Sequence, residues 1–316
     1  MKKSLFSCFS VFFLMSLLFY PQLSFEGAKN GLLLWYQTVV PTLFPFMTAS
    51  KLAVASGGAT LLIRPLYPLC KKLLHLSEEG TYTLFSGLLC GYPMGAKTCS
   101  DFLEQGTLSL QEGRFLVAVC NLPSPMFLLG YLSAQAGGEL SRAKIFLVVY
   151  GPLLPLSAAA WFCYRMYRNS AANPRELRQK STRSAIQKDI HRNLSKSDSI
   201  DDIFSDCCLV LLKIGCYMVL FSVMAAFFSH SSLPPLLKPV AVGLMEMTTG
   251  IHTAAILLKK PVSWFFMLLF AVFGGFSGLF QTKSVMKNAG LSIRHYMGWK
   301  MLHTALSALY FVWLCI

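Results

Sequence analysis

The chain has 316 residues, of which 54% are hydrophobic and 13% are charged. Ordinary soluble domains carry about 25% charged residues, so this composition excludes a soluble protein and predicts an integral membrane protein with the lipid bilayer as its main partner. The net charge of +14 would suit a nucleic-acid-binding domain, but much of the positive charge lies in one polar segment, residues 165–202, between apolar blocks. We therefore expect no nucleic-acid partner, and a patch for nucleic acid or anionic lipid is only a minor alternative.

The apolar runs are long and lack the alternation of strands, so the pattern predicts an all-α, polytopic membrane protein. The N-terminal segment, residues 1–22, contains an apolar run that is typical of a signal peptide or a short first span. Because no small-residue cleavage site follows at once, we favour a retained transmembrane helix, which could serve as a signal anchor. The next run, residues 31–55, can cross a bilayer, and Pro41 and Pro45 predict a kink in it.

The next interrupted segment, residues 81–97, belongs to a first repeat that we place at 23–164. It is apolar but is broken at residues 91–95, and about 20 residues are needed to cross a bilayer. The segment therefore predicts a re-entrant helical hairpin. Two further apolar runs follow, residues 115–135 and 145–164, of which the first is interrupted by Asn121-Leu-Pro-Ser-Pro125.

The polar segment 165–202 is rich in Ser, Asn, Lys and Arg. Its composition predicts a flexible loop, and its positive charge predicts a cytoplasmic location by the positive-inside rule. A second repeat, residues 203–316, follows it. This repeat contains a second predicted hairpin, 239–258, and apolar runs at 203–228, 262–281 and 296–316.

The two repeats share a pattern of small, Pro and hydroxyl residues inside apolar runs. Segments 87–95 and 118–127 in the first repeat correspond to 243–250 and 271–280 in the second. Each half contributes an odd number of crossings, so we expect an inverted repeat with about seven transmembrane helices and two re-entrant hairpins. In duplicated membrane proteins, helices broken at membrane depth tend to mark a transport site.

Glu246 is the sharpest single candidate, because a carboxylate within apolar sequence is costly unless it faces a cavity, a partner or a proton path. It could equally be a polar clamp between the hairpin and a neighbouring helix. Lys97 follows the first break, where its charge would add to a helix N-terminus that binds anions. It could instead extend to the membrane surface. The other substrate-binding candidates lie at or beside the breaks: Gly91, Tyr92, Asn121, Ser124, Thr248, Thr249, Ser277, Gln281 and Thr282.

These polar residues could present hydroxyl and amide groups to a solute, or they could satisfy backbone carbonyls freed by the bends. Ser124 and Ser277 occupy corresponding places in the two repeats, which favours the first interpretation. The ten cysteines and six histidines show no metal-ligand spacing, so we expect no metal and no cofactor. The sequence also lacks a phosphate-binding loop, a nucleophile elbow and paired acid-base carboxylates, so we expect no enzymatic activity.

Four segments carry a resemblance to a known family: Glu26-Gly-Ala-Lys-Asn-Gly-Leu-Leu-Leu-Trp35, Val40-Pro-Thr-Leu-Phe-Pro-Phe46, Gly91-Tyr-Pro-Met-Gly-Ala-Lys97 and Gly243-Leu-Met-Glu-Met-Thr-Thr-Gly250. They resemble the YlbJ (SpoVV) family of sporulation integral membrane proteins, and more widely the nucleoside-recognition or Gate domain proteins. The resemblance covers nearly all of the chain outside the basic loop. It implies a role in endospore formation, in the outer forespore membrane, and movement of dipicolinic acid from the mother cell toward the forespore.

The sequence and the resemblance together predict a secondary transporter or facilitator for a small anionic solute, with dipicolinate favoured. One alternative keeps the fold and changes the solute to a nucleoside or another small metabolite. A second alternative is a non-transporting scaffold that recruits other sporulation membrane proteins through the basic loop, 165–202.

Overall fold

The computed structural model describes residues 2–56, 58–170, 200–286 and 289–315. Within these residues every regular element is a helix and no strand occurs, so the predicted all-α class is confirmed. Four helical segments of the described chain are long and apolar enough to cross a membrane: Pro21–Ala55, Arg142–Tyr164, Ile200–Ser229 and Val262–Val285. The count of seven spans and the inverted arrangement of the repeats stay predictions.

The described residues before the basic loop form short helices and a few long ones. They are α1 (Lys2–Phe19), α2 (Pro21–Leu34), α3 (Val40–Ala55), α4 (Gly58–Ile63), α5 (Tyr67–Leu74), α6 (Glu78–Cys90), α7 (Met94–Glu104), α8 (Leu110–Val119), α9 (Ser133–Gln135), α10 (Arg142–Tyr150) and α11 (Leu153–Ser170). Most of the predicted loop, residues 171–199, lies outside the described part of the chain.

The second half is simpler. Its helices are α12 (Ile200–Ser229), α13 (Leu237–Met245), α14 (Met247–Leu257), α15 (Val262–Phe273), α16 (Gly275–Val285) and α17 (Ile293–Cys315). The long helix α12 packs along α2. Gly27 and Gly31 make this close approach possible, because a Cβ atom at either position would lie within 3 Å of the α12 backbone at Val223 or Val219. Small residues of this kind commonly allow helices to pack closely in membranes.

The helices α2 and α3 are joined without a loop by a π-helical turn, Trp35–Val39. Pro41 lies in the first turn of α3, where its missing N–H group costs little, and Pro45 lies inside the helix. The Trp35 indole N–H donates to the Leu211 carbonyl oxygen at 2.9 Å, which fixes this turn against α12. The predicted run, residues 31–55, is therefore part of a longer helical segment, Pro21–Ala55, whose geometry changes at its centre.

Both predicted hairpins contain the helix break that the sequence indicates. Helices α6 and α7 are separated at residues 91–93, and α13 and α14 are separated at Glu246 alone. The two helices of each pair pack against each other. In the second pair Gly243 and Gly250 face each other so closely that a Cβ on Gly250 would overlap the Gly243 backbone, so the chain folds back at Glu246.

The later segment of each half is also interrupted. After α8 the chain has no regular structure at residues 121–124 and then continues as a short helix with a π-helical stretch, Phe127–Leu132. In the second half Gly274, in the left-handed conformation with φ of 83°, separates α15 from α16. The run 115–135, predicted as one interrupted span, is not among the four candidate crossings of the described chain because its helices are too short.

Candidate functional site

The four interruptions surround one cavity with a volume of about 340 Å³. Its wall comes from the π-helical turn and its neighbours, from α12, and from residues at each of the four breaks. Seven of the predicted substrate-binding residues line this cavity: Gly91, Tyr92, Ser124, Glu246, Thr248, Ser277 and Gln281. Ser124 and Ser277, which the sequence predicts to correspond in the two halves, therefore face the same space.

The cavity lies at the middle of three candidate spans. Thr38 stands halfway along Pro21–Ala55, Ile214 halfway along Ile200–Ser229, and Gly274 halfway along Val262–Val285, and all three residues line the cavity. A span centred in a bilayer has its middle at the midplane. This is the depth at which substrate sites formed by broken helices occur in transporters.

Glu246 is 2% exposed and lies at the break between α13 and α14. Its Oε2 atom accepts hydrogen bonds from the Thr249 backbone N–H at 2.8 Å, from the Thr249 hydroxyl at 3.1 Å and from the Thr248 hydroxyl. The carboxylate thus caps the N-terminus of α14, where a negative charge is stabilised by the helix dipole. No hydrogen bond from the described residues reaches Oε1, so Glu246 combines the two roles considered for it, a local clamp and a cavity wall.

Tyr92 joins the tip of the first hairpin to the second half. Its hydroxyl oxygen lies 2.7 Å from the Ala271 carbonyl oxygen and 2.7 Å from the Met247 sulfur. The hydroxyl has one proton, and the carbonyl is the stronger acceptor. Tyr131 makes a similar connection by donating to the Thr248 carbonyl oxygen at 2.7 Å. The two hairpin tips therefore meet through aromatic side chains of the first half.

Asn121 and Thr282 lie behind the cavity wall rather than in it. The Asn121 side-chain N–H group donates to the Thr282 hydroxyl at 3.0 Å and to the Tyr296 hydroxyl at 2.8 Å. These two candidates therefore support the breaks at residues 121–124 and 274 instead of contacting the cavity. Thr249 also does not line the cavity, and it acts through its two hydrogen bonds to Glu246.

Lys97 is placed away from the cavity. Its ammonium group pairs with Asp101 one turn further along α7 and lies 3.9 Å from an Asp206 carboxylate oxygen of α12, which also pairs with Lys51. No Lys or Arg is among the described residues that line the cavity. Lys97, which was predicted to bind the substrate, is therefore paired with carboxylates outside the cavity.

A row of buried polar side chains on α17 was not predicted from the sequence. Tyr296, Lys300, His303 and Ser307 are all less than 5% exposed. Their spacing of four, three and four residues places them on one helix face. This spacing is visible in the sequence and indicates a buried polar helix face, whereas the apolar composition of residues 296–316 predicts only a span. Polar residues of the kinked span were also missed, namely Gln37, Thr38 and Thr42, which line the cavity.

The described residues contain no group of three or more His, Cys, Asp or Glu side chains placed to hold a metal ion. The cavity wall carries one carboxylate, several hydroxyl and amide groups, and apolar side chains such as Leu43, Phe127 and Met218. Chemically this arrangement can hold a small, partly polar solute. It offers a carboxylate that can accept hydrogen bonds and hydroxyl groups that can donate them.

Comparison with known proteins agrees with this membrane architecture. The sporulation integral membrane protein YlbJ of Bacillus subtilis (strain 168) is 24% identical to this chain over 338 aligned positions. The alignment covers 97% of this chain and 81% of that protein. No family model and no solved structure matches the chain. Over nearly its full length the chain is therefore similar to a sporulation integral membrane protein.

Proposed function

We propose that this protein is a secondary transporter that moves a small anionic metabolite, with dipicolinic acid as the leading candidate, across the outer forespore membrane from the mother cell. The observation that carries the proposal is the cavity of about 340 Å³ enclosed by matched helix breaks at the middle of the candidate spans. The similarity to a sporulation membrane protein supports the biological setting.

The size of the cavity suits a small solute with one ring. Ligand sites usually have volumes of about 300 to 1,000 Å³, so this cavity lies at the small end of that range. Its apolar side chains would contact the faces of a flat ring. The hydroxyl groups of Ser124, Ser277 and Thr248 and the amide of Gln281 line the same space and are suited to the polar edge of the solute.

The charges around the cavity decide whether a carboxylate-bearing solute can bind there alone or only together with a proton. Helices α7 and α16 begin beside Tyr92 and Gly274, and helix N-termini favour anions. The carboxylate of Glu246 lies in the same cavity and repels a carboxylate-bearing solute while it is ionised. We therefore assign to Glu246 the binding of a proton together with the solute, so that transport is coupled to proton movement.

The basic loop, residues 165–202, indicates how the protein would be oriented in the membrane. Positive segments are retained in the cytoplasm, so the loop and the start of α12 would face the mother-cell cytoplasm. On the same side of the cavity, Lys51, Lys97, Asp101 and Asp206 join α3, α7 and α12 by ion pairs. Separation of these helices would open the cavity toward the mother-cell cytoplasm.

Uptake by proteoliposomes tests the proposal. Purified protein in vesicles should accumulate labelled dipicolinate faster than empty vesicles, and an inward proton gradient should increase the rate. The Glu246→Gln variant should lose the response to the gradient. The exposed Glu139→Gln substitution on the loop before α10 is a matched control and should retain it. Uptake no faster than in empty vesicles would refute the transporter.

The alternative solute class is a nucleoside or another uncharged metabolite. One observation favours it: the cavity wall contains a carboxylate and, among the described residues, no Lys or Arg. A hydroxyl-rich solute could donate hydrogen bonds to Glu246 without proton binding. Competition distinguishes the two, because uridine or adenosine in excess should block dipicolinate uptake only if the site recognises nucleosides.

A further inference from the structure

Lys300 is a buried lysine with no carboxylate partner among the described residues. Its side chain belongs to a residue that is 3% exposed, and it is the only Lys or Arg found buried in the described part of the chain. Glu246 is the only buried Asp or Glu there. No ion pair among the described residues involves Lys300, whereas Lys97 is next to two carboxylates.

The ammonium group of Lys300 has two close contacts. It donates a hydrogen bond to the Asn121 carbonyl oxygen at 2.8 Å and lies 5.0 Å from the centre of the Tyr92 ring. A cation over an aromatic face is attracted by the ring. Tyr92 lines the cavity, and its hydroxyl contacts Met247, the residue after Glu246. The Tyr92 side chain thus lies between the buried Lys300 and Met247, the neighbour of the buried Glu246.

A structural role alone does not require this charge. The Asn121 carbonyl oxygen needs a hydrogen-bond donor, and an uncharged amide side chain could supply one. A buried charge within a membrane is costly, and such residues usually face a bundle interior, a partner or a substrate path. The neighbouring titratable side chains are Tyr92, Cys120, Tyr296 and His303, all of which are neutral in their ordinary states, so they do not balance Lys300.

We propose that Lys300 is the cationic group of the transport site, placed behind Tyr92, and that its charge allows the cavity to accept a carboxylate-bearing solute beside Glu246. This inference rests on the proposed function, because it assigns a counter-charge to the anion. Electrostatic attraction is strong and poorly screened away from water. Lys300 therefore acts on the solute across the Tyr92 ring from a buried position, and it acts more strongly on a dianion than on a neutral molecule.

Binding measurements on the purified full-length protein test this role. The probes are dipicolinate and pyridine-2,6-dicarboxamide, an uncharged molecule of nearly the same shape, titrated by calorimetry. The variant Lys300→Gln removes the charge but keeps a donor for Asn121, and Lys300→Arg keeps the charge. Lys283→Met removes one exposed positive charge from α16 and is the matched control.

We expect Lys300→Gln to weaken dipicolinate binding at least tenfold, a change of about 1.4 kcal/mol, with little change for the dicarboxamide. Lys300→Arg and Lys283→Met should bind both probes like the unsubstituted protein. An equal loss for both probes, or no loss for either, would overturn the role of Lys300 while leaving the transporter intact. Absence of dipicolinate binding by the unsubstituted protein would overturn the proposed function and this inference together.

If Lys300→Gln fails to fold, the comparison moves to Tyr92. Replacing Tyr92 by Leu removes the aromatic ring between Lys300 and the cavity and leaves Lys300 in place. The inference predicts that this variant still prefers dipicolinate to the dicarboxamide. Loss of that preference in a folded Tyr92→Leu protein contradicts it.

Discussion

At the scale of single residues, Glu246 explains how a carboxylate is tolerated between apolar helices. It receives three hydrogen bonds on one oxygen from the first turn of α14, and it presents the remaining oxygen without a protein donor in the described structure. The sequence analysis identified the residue because a charge within an apolar run is rare. It could not decide between clamp and cavity wall, because that depends on the fold of the hairpin.

Replacing Glu246 by Ala should test its role as a helix cap separately from its role in the cavity wall. Loss of a helix cap typically costs about 1 kcal/mol, so Glu246→Ala should lower the thermal midpoint of the purified protein. Glu246→Gln retains an oxygen that can accept from the Thr249 N–H and should be closer in stability to the unsubstituted protein. Equal destabilisation by both substitutions would argue against the capping role.

Tyr92 is the residue through which the hairpin tips meet. The Tyr92→Phe substitution keeps the ring beside Lys300 and removes the hydroxyl that contacts Ala271 and Met247. A buried hydrogen bond of this kind contributes about 1 kcal/mol, so we expect slightly lower stability and slower uptake. Tyr36→Phe is the matched control, because Tyr36 is 66% exposed. Uptake by Tyr92→Phe that equals uptake by Tyr36→Phe would contradict this account of the tip contact.

At the scale of elements, the helix breaks were predictable and the long helices less so. Gly91, Pro93, Glu246 and Gly274 interrupt helices where the sequence indicated, because glycine conformations, proline and local side-chain caps are encoded within a few residues. The π-helical turn at Trp35–Val39 was not predicted, since it depends on packing against α12. The location of Lys97 was also not predicted, because Asp206, the second of its two carboxylate neighbours, lies far away in the sequence.

Close packing within the second hairpin gives a prediction at this scale. A methyl group on Gly250 would overlap the backbone of Gly243, so Gly250→Ala should force α13 and α14 apart. We expect a large loss of thermal stability, of about 2 kcal/mol or more, as is usual when a well-packed contact is overfilled. Size-exclusion chromatography and thermal unfolding in detergent measure this effect.

The matched control for that change is Gly298→Ala. Gly298 lies within α17, and a Cβ atom there would have no neighbour within 4 Å. Since alanine favours helices over glycine by about 1 kcal/mol, this variant should be as stable as the unsubstituted protein or slightly more stable. Similar losses in both glycine variants would mean that the hairpin is not closely packed.

At the scale of the whole molecule, both halves contribute residues to one cavity at the middle of the candidate spans. The sequence could predict matched breaks from local patterns. Seven of the predicted substrate-binding residues line the cavity, and their role in binding stays a prediction. It could not predict which side chains turn inward, because Asn121 and Thr282 differ from the lining residues only in their tertiary partners. The buried Lys300 was also not predicted, although its helical spacing with Tyr296, His303 and Ser307 is visible in the sequence.

The transporter proposal also makes a prediction about the basic loop. Deletion of residues 171–199 leaves the cavity-lining helices unchanged in sequence, so uptake into vesicles should stay within about twofold of the intact protein if the ends are joined by a flexible linker. Loss of sporulation function with normal uptake would instead support a recruiting role for the loop. Loss of uptake would contradict the independence of the cavity from this segment.

The most direct test of the central claim is solute protection of the cavity wall. In a functional background without the native cysteines, Ser277→Cys is treated with a water-soluble thiol reagent in the presence of increasing dipicolinate, and the exposed Ser292→Cys serves as the control. The account predicts that dipicolinate slows labelling of Ser277→Cys saturably, at the concentrations that saturate uptake, and leaves the control unchanged. Labelling of Ser277→Cys that no concentration of the solute reduces would contradict it.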